Sequence, residues 1–386
     1  MVAGSDRFAS QMKFADYLKT RGMADAPLAV WAFIPYWQVG PDLVSESYDT
    51  PQTRRELDEV FHALGLTWTW VPVTTNGLPD TVEFILQSAN GRKPLILNFC
   101  DADPVFGGPG IDVIHKLEEH DLAFTGADAP FYHISTSKIL MKEAFQQAGV
   151  PTAPFAVITD AARDIPGLCE KLGAPLFVKP AVSAGSFGLS LKSVVHSDRE
   201  LYEQVQALLN SPYQREFSEG GLFVERFLNG PEFTVLVVGM PDVPESIRVY
   251  PPVERAFNKA LPETERFFSY DRYWELYREE ERPPDGKPLY EYLPAAPAWK
   301  ERLEDLAWKA YCAVGGAGYG RVDIRMDRAT GEFFVLEVNA NCGISADENE
   351  SSTGQILRWG GIPFTQLMSD MLFGALVRVP PKFRGK

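Results

Sequence analysis

The sequence has few cysteines and no long apolar run. Its four cysteines lie far apart among 386 residues and form no C-x-x-C pair, which argues against a structural zinc site and fits the reduced thiols of an intracellular protein. No run of about 18 uncharged apolar residues occurs, and the N-terminus has no charged segment followed by an apolar one. We therefore expect a soluble, cytoplasmic protein that does not associate with membranes.

Basic residues are outnumbered by acidic ones. The chain has 37 Lys and Arg against 52 Asp and Glu, a formal net charge of -15. Nucleic acids are bound through clustered Lys and Arg, and no such cluster is present, so we expect no nucleic-acid partner. A nucleotide held in a local pocket is still compatible with this charge. With 45% hydrophobic residues, the chain is long enough for two or three globular domains.

Strands and helices alternate in the first part of the chain. Thr50 and Pro51 have the character of a helix cap and first turn, and the apolar residues that follow keep a helical spacing. Predicted strands lie at 28–34, 67–73 and 94–99, and predicted helices at 6–19, 51–64, 81–89 and 111–119. This alternation is typical of a parallel sheet covered by helices, so the fold class is α/β.

The rest of the chain is predicted to form two further units. A helix at 135–148 leads to strands at 155–158, 176–178 and 189–195, and a strand at 233–238 and a helix at 299–314 follow. We divide the chain into an N-terminal α/β substrate-side domain (1–130), a central domain (131–230) and a C-terminal domain (231–386). The segment 272–287, rich in Glu, Arg and Pro, is predicted to be a surface excursion that can act as a lid.

Two strands near the C-terminus are predicted to pair as a hairpin. Residues alternate over 321–326, so Arg321, Asp323 and Arg325 share one face. The residues 327–332 suit a turn, and 333–339 reads as the second strand. If Asp327 lies opposite Phe333, paired positions sum to 660, and Asp323 faces Glu337.

The same register places Arg321 opposite Asn339. Opposed carboxylates about 5 Å apart repel each other, so Asp323 and Glu337 on one face imply a cation between them. Mg²⁺ takes oxygen ligands and commonly binds one or two carboxylates together with phosphates, and Asn339 adds a neutral oxygen. The hairpin alone is equally compatible with a solvated edge whose acids are offset by arginines.

Two more segments suit nucleotide binding. The predicted strand at 176–180 contains Lys179 and runs into a loop of small residues, 181–188, that can approach phosphate closely. It is not a Walker A loop, and an ordinary turn is the alternative. The strand at 222–228 leaves through 229–231 to Glu232, which has the form of a hinge between domains. Taken alone, Glu225 and Glu232 are more typical of surface acids.

In combination and in this order, these segments resemble the ATP-grasp superfamily, and within it the branch typified by D-alanine:D-alanine ligase. The resemblance spans 135–364. It is densest at 147–154, 177–180, 224–235, 320–323, 336–339 and 343. It implies an ATP-grasp fold that begins with an N-terminal parallel α/β domain. In this fold, ATP is held between the central and C-terminal domains.

The resemblance also implies roles for individual residues. The nucleotide contacts are Lys138, Lys179, Ser186, Glu225, Phe227, Leu228 and Glu232, with both lysines and Ser186 at the phosphates, Glu225 and Leu228 at adenine, and Glu232 at the ribose hydroxyls. The magnesium ligands are Asp323, Glu337 and Asn339. Arg321 would stabilise the transferring phosphoryl group, Gly343 would donate its backbone N–H to the oxyanion, and Ser351 or Ser352 would hold the acceptor's carboxylate.

The sequence departs from this family on the substrate side. The family's Gly-rich segment after the first strand is replaced by 32–38, and its His-Gly-Glu-Asp-Gly segment by 98–110, where Asp101 and Asp103 are candidate substrate contacts or parts of a structured turn. Where relatives have a lid lysine in a Tyr-Asp-x-Lys-Trp pattern, 270–274 lacks it, so either Arg272 replaces it or the contact is lost. These changes argue against a cell-wall D-alanine dipeptide as product.

We therefore predict an ATP-dependent carboxylate-amine ligase that works through an acyl phosphate on another amino-acid-like pair, with specialised metabolite biosynthesis as the hypothesis for its role. ATP and Mg²⁺ are the expected cofactors, with Mn²⁺ as an alternative ion, and small molecules the expected partners; a homodimer is compatible. The alternative class is a non-catalytic ATP-binding regulatory module. The residues do not distinguish an amine from another nucleophile.

Overall fold

Three larger sheets and one two-stranded sheet organise the part of the chain that the structure describes. The computed structural model describes residues 14–20, 27–45, 47–101, 108–183, 185–211, 220–347, 349 and 351–378. Its strands are β1 (Leu28–Pro35), β2 (Trp37–Val39), β3 (Asp42–Val44), β4 (Trp68–Val73), β5 (Lys93–Asn98), β6 (Ala123–Phe124), β7 (Phe155–Ile158), β8 (Leu176–Pro180), β9 (Val194–Val195), β10 (Leu222–Arg226), β11 (Glu232–Met240), β12 (Val243–Val249), β13 (Val253–Phe257), β14 (Tyr290–Pro294), β15 (Tyr319–Met326) and β16 (Phe333–Ala340).

The helices of the described residues pack on these sheets or connect them. They span Phe14–Thr20, Pro51–Leu64, Leu78–Ser88, Gly110–Glu119, Ala129–Thr136, Lys138–Gln147, Ala161–Asp164, Leu168–Leu172, Asp198–Leu209, Tyr270–Tyr273, Pro297–Ala313, Ser352–Gly360 and Phe364–Leu376, with 3₁₀ turns at Leu191–Ser193 and Glu263–Glu265. Among the described residues, no helix is both long and apolar enough to cross a membrane.

The N-terminal sheet confirms the predicted parallel arrangement. Its order is β4-β1-β5-β6, and all of its pairs are parallel. The helix Pro51–Leu64 begins as predicted, because the Thr50 hydroxyl accepts a hydrogen bond from the Thr53 N–H at 3.1 Å. Of the predicted first helix at 6–19, only the part from Phe14 onward lies within the described residues.

The central sheet has the order β7-β10-β8-β9, and two predictions fail around it. The helix predicted at 135–148 is divided, because Ser137 is extended and caps a new helix by accepting from the Leu140 N–H. The strand predicted at 189–195 is reduced to β9, because Ser190 caps a 3₁₀ turn just before it. The bounds of the three predicted domains stay a prediction, although each sheet lies within one of them.

The C-terminal sheet confirms the part of the hairpin register that matters most. Asp323 pairs with Glu337 and Arg321 with Asn339 on β15 and β16. Nearer the turn the register is shifted by one residue, so Phe333 pairs with Met326 and not with Asp327 as predicted. The shift is a β-bulge directly beyond Asp323, an irregularity that strict alternation in the sequence does not reveal.

The N-terminal and C-terminal parts share one hydrophobic core. Phe99 at the end of the N-terminal sheet belongs to the same buried cluster as Tyr319, Cys342 and Ile344. The Glu56 carboxylate accepts hydrogen bonds from the Ser345 hydroxyl at 2.8 Å and the Ala346 N–H at 3.0 Å. The loop that follows β16 is therefore fixed from the N-terminal side.

Candidate functional site

Asp323 and Glu337 lie side by side with an amide between them. Asn339 Nδ2 is 3.3 Å from Asp323 Oδ2 and 3.2 Å from Glu337 Oε1. Turning this amide over presents its oxygen to the same place, since the two orientations of an Asn side chain occupy the same volume. Asp323 is buried and Glu337 partly exposed, so the pair opens to solvent on the Glu337 side.

Cations surround the two carboxylates and keep them ionised. Arg321 grips Asp323 with two hydrogen bonds of 3.2 and 3.1 Å, and Arg255 approaches Asp323 Oδ1 at 3.5 Å. Burial opposes the charge on Asp323, but the two arginines hold its pKa at about 2. The pKa of Glu337 is lowered against the same effect of burial by Lys138, whose Nζ lies 3.3 Å from Glu337 Oε2.

This donor set fits the magnesium ion that the resemblance implies. It consists of oxygen atoms only, which suits a hard cation that keeps some of its waters. The described residues contain no group of three or more His, Cys, Asp or Glu able to hold a metal, so the protein would supply only two carboxylates and Asn339. Such an incomplete set leaves positions for phosphate oxygens.

Glu225 lies between two lysines. Lys142 Nζ is 2.5 Å from Glu225 Oε2, and Lys179 Nζ is 2.7 Å from Oε1. Burial disfavours the Glu225 carboxylate, yet the two ammonium groups hold its pKa at about 2. The resemblance implied that Glu225 contacts adenine. In the structure, its carboxylate instead holds Lys179 near the end of β8. Sequence reasoning missed Lys142, although a lysine on the apolar face of the helix Lys138–Gln147 was the available signal.

The hinge acid Glu232 is also held by two cations. Its carboxylate accepts from Arg255 Nη1 at 2.7 Å and from Arg325 Nη1 at 3.3 Å. Sequence reasoning did not anticipate either contact to the predicted ribose acceptor. Phe227 and Leu228, the residues implied at adenine, are both buried, and Phe227 packs edge-on against Phe177 and Phe267.

The small-residue loop after β8 contacts the segment near 270. Trp274 Nε1 donates to the Gly185 carbonyl at 3.0 Å, and the Leu191 N–H donates to Glu280 at 2.8 Å. Ser186 in this loop has a φ of +64°. Lys138 reaches the same loop through its Nζ, which donates to the Ser183 carbonyl at 2.8 Å.

Arg272 makes its contacts within the segment 265–281. It is buried, pairs with Glu265 at 2.8 Å, and donates from Nε to the Glu281 carbonyl at 3.0 Å. Glu280 is also buried, 3.9 Å from the Arg272 Nε. The predicted surface excursion at 272–287 is thus anchored by buried charges, and Arg272 does not extend into the cleft as a free lid cation.

Three further candidates, Gly343, Ser351 and Ser352, lie around the loop after β16. Gly343 is exposed, and a Cβ added there would meet no atom within 4 Å. Ser352 Oγ accepts from Arg321 Nη1 at 3.2 Å, whereas Ser351 caps its helix by accepting from the Gly354 N–H. Asp103 lies outside the described residues.

Asp101 follows β5 at the carboxyl edge of the parallel sheet. The Tyr48 hydroxyl donates to its side chain, and the Tyr132 hydroxyl donates to its carbonyl at 2.6 Å. Burial raises the pKa of Asp101 to about 6, against a smaller opposite effect of the Tyr48 hydrogen bond. Burial raises the pKa of Cys342, the residue before Gly343, and the negative charges of Asp323 and Asp101 act in the same direction.

Replacing Asp101 by Asn should stabilise the fold. The pKa of Asp101 is higher in the folded than in the unfolded protein. The fold therefore becomes less stable as the pH rises between these two values, from about 4 to about 6. Allowing for partial solvent exposure, the free energy of unfolding at pH 8 should rise by about 1–2 kcal/mol. Denaturant unfolding at pH 8 and pH 4 measures this, and a gain of equal size at both pH values would contradict it.

Three comparisons with solved structures show the same fold. The D-alanine–D-alanine ligase from Bacillus anthracis in complex with ATP is 17% identical, with 90% of this chain and 97% of that chain covered and a TM-score of 0.56. A second structure of a D-alanine–D-alanine ligase from Bacillus anthracis is 18% identical (91% and 98% covered, TM-score 0.57). The D-alanine–D-alanine ligase from Coxiella burnetii is 14% identical (90% and 95% covered, TM-score 0.58).

A protein-family model matches the central and C-terminal parts of the chain. The model described as D-ala D-ala ligase C-terminus matches residues 144–373, more than half of the chain. This range contains the lysine-bound Glu225, the hinge acid and the paired carboxylates. The chain therefore belongs to the D-ala D-ala ligase C-terminal family, with the ATP-grasp fold, and is a ligase that uses ATP and Mg²⁺ to form a carbon–nitrogen bond.

Proposed function

We propose that the protein joins a carboxylic acid to an amine through an acyl phosphate, on an amino-acid-like pair other than two D-alanines, in specialised metabolite biosynthesis. The observation that carries the chemistry is the opposed pair Asp323 and Glu337 with Asn339 between them. Both acids are ionised among arginine and lysine side chains, as a magnesium-nucleotide site requires.

The proposed reaction has two steps. A carboxylate oxygen of the acid attacks the γ-phosphorus of ATP, and ADP leaves; the amine then attacks the acyl carbon, and phosphate leaves with the former carboxylate oxygen. Asp323, Glu337 and Asn339 would hold Mg²⁺, which when bound would offset charge on the phosphates. Lys138 and Lys179 bind the phosphates, Arg321 stabilises the transferring group, and the Gly343 N–H donates to the oxyanion.

Other contacts in the cleft complete this proposal. Phe227 and Leu228 provide apolar surface for adenine, and Glu232 accepts from the ribose hydroxyls while keeping its arginines. Ser186 covers the phosphates from the loop after β8. Ser352, already hydrogen-bonded to Arg321, is better placed than the helix-capping Ser351 to hold the acceptor's carboxylate.

The substrate side centres on Asp101. The described residues place no cationic side chain against this partly buried carboxylate, and Tyr48 beside it stacks on Trp37 with ring centroids 6.5 Å apart. A buried acid without a cation favours a ligand that brings one. We therefore propose that the acid substrate carries an ammonium group that pairs with Asp101 next to an aromatic surface.

A substrate screen tests the proposed function. The purified protein with Mg-ATP would be offered pairs of amino acids and amines, with D-alanine pairs and des-amino acids included, while phosphate release and product mass are recorded. We expect phosphate release that needs both partners, and a loss of rate when the acid lacks its amino group. Fastest turnover with two D-alanines would reject the substrate proposal, and tight ATP binding without turnover for any pair would favour a binding module.

A further inference from the structure

Arg255 on β13 is a buried guanidinium that no motif in the sequence singled out. It is 5% exposed and donates to Glu232 Oε1 at 2.7 Å, to Asp323 Oδ1 at 3.5 Å and to the Tyr292 hydroxyl at 3.3 Å. Its guanidinium also lies over the Phe268 ring at 5.1 Å. Arg255 therefore bridges two acids that belong to different parts of the proposed site.

The position of this bridge matters for a bound nucleotide. Under the proposed function, Glu232 faces the ribose and Asp323 faces the metal, so the phosphate chain must run through the interval that Arg255 spans. A guanidinium is well suited to phosphate, because its fork can donate two parallel hydrogen bonds. Arg272, the lid arginine considered for a phosphate contact, is held by Glu265 and the Glu281 carbonyl.

The two contacts of Arg255 differ in strength. Its hydrogen bond to Glu232 is short, but its approach to Asp323 is at the limit for a hydrogen bond, and Arg321 already grips that carboxylate with two closer bonds. A divalent cation arriving at Asp323 would repel the nearby guanidinium, whose Nη2 would then be available to another anion. Glu232 would keep the side chain in place.

We propose that Arg255 binds the phosphate chain of the nucleotide, with its Nη2 moving from Asp323 to phosphate oxygen when the metal takes its place. This inference rests on the proposed nucleotide site. In this proposal, β13 provides the phosphate-binding cation that the lid segment does not provide. Arg255 then has two roles, phosphate binding and ion pairing within the protein.

Nucleotide binding measured by calorimetry tests this assignment without relying on turnover. The variants are Arg255→Lys, which keeps the charge but loses the fork, and Arg255→Gln, which loses both; the exposed Arg302→Lys is the control. Both variants are expected to fold, because Glu232 retains Arg325 and Asp323 retains Arg321. The probes are adenosine, MgADP and the magnesium complex of a non-hydrolysable ATP analogue.

We expect Arg255→Gln to weaken binding of the ATP analogue about 10- to 100-fold, as for loss of a charged hydrogen bond, with a smaller loss for Arg255→Lys and less than about 3-fold for adenosine. Equal losses for adenosine and the ATP analogue would overturn the inference, since they would mean that Arg255 acts only by positioning Glu232. Unchanged affinity for the analogue would overturn it as well. If the unsubstituted protein binds no magnesium nucleotide, the proposed function itself fails.

Discussion

Replacing Asp323 by Asn should lower the rate of ATP-dependent ligation by about 100- to 1000-fold, as expected for loss of a charge that acts directly on the reacting phosphates. The carboxylate is ionised in the fold and faces Glu337 across the hairpin. An amide of the same shape keeps the packing but removes the negative charge that would hold Mg²⁺. Steady-state phosphate release over a range of Mg²⁺ concentrations measures the effect.

The stability of this variant must be measured with its activity. The Asp323→Asn substitution would leave Arg321 and Arg255 buried with less compensation, and breaking a buried ion pair can cost about 3–5 kcal/mol. The exposed Asp305→Asn, which removes only a surface pair with Lys309, is the matched control. Ligation that persists at an unchanged rate and Mg²⁺ dependence in folded Asp323→Asn would rule out this carboxylate as a metal ligand.

The second large effect concerns stability. Glu225→Gln should lower the free energy of unfolding by about 3–5 kcal/mol, because it leaves two ammonium groups near one uncharged amide. Lys142 is fully buried and cannot reach water to recover its hydration. Denaturant unfolding at neutral pH measures the loss, and Glu332→Gln, which removes an exposed partner of Arg302, is the control.

The pH dependence of the same site has a definite sign. The pKa of Glu225 is lowered in the fold, from 4.5 to about 2, so its contribution to stability is complete above about pH 4.5 and is lost as the pH falls toward 2. The variant should therefore differ most from the unsubstituted protein at neutral pH and least near pH 2. Adding Lys142→Met to Glu225→Gln should recover part of the stability; a further loss would contradict the ion-pair explanation.

The local sequence was sufficient to predict the paired carboxylates. Alternation on β15 and turn residues after it placed Asp323 opposite Glu337, and the structure confirms that pairing. The error near the turn arose because a bulge adds one residue without changing the polar pattern. The parallel N-terminal sheet was predictable for the same reason, since helical and strand periodicities alternate clearly there.

The partners of the hinge acids were not predictable from one sequence. Glu232 meets Arg255, 23 residues further along the chain, and Arg325, 93 residues further along. Such contacts depend on strand order, which places β13 and β15 on either side of β11. Motif spacing indicates which segment a functional residue belongs to. Its ion-pair partners depend on which strands become neighbours in the sheet.

The hydrogen bonds from Ser345 and Ala346 to Glu56 limit how this enzyme can be recombined with its relatives. The loop that carries Gly343 takes part of its shape from the N-terminal helix Pro51–Leu64, which contains Glu56. A hybrid that received its first 130 residues from another ligase would lose that carboxylate unless the donor supplied one at the same place. Under the proposed function, new substrate specificity in this scaffold would come from changes around Asp101 that leave the helix of Glu56 intact, rather than from exchange of the whole N-terminal part.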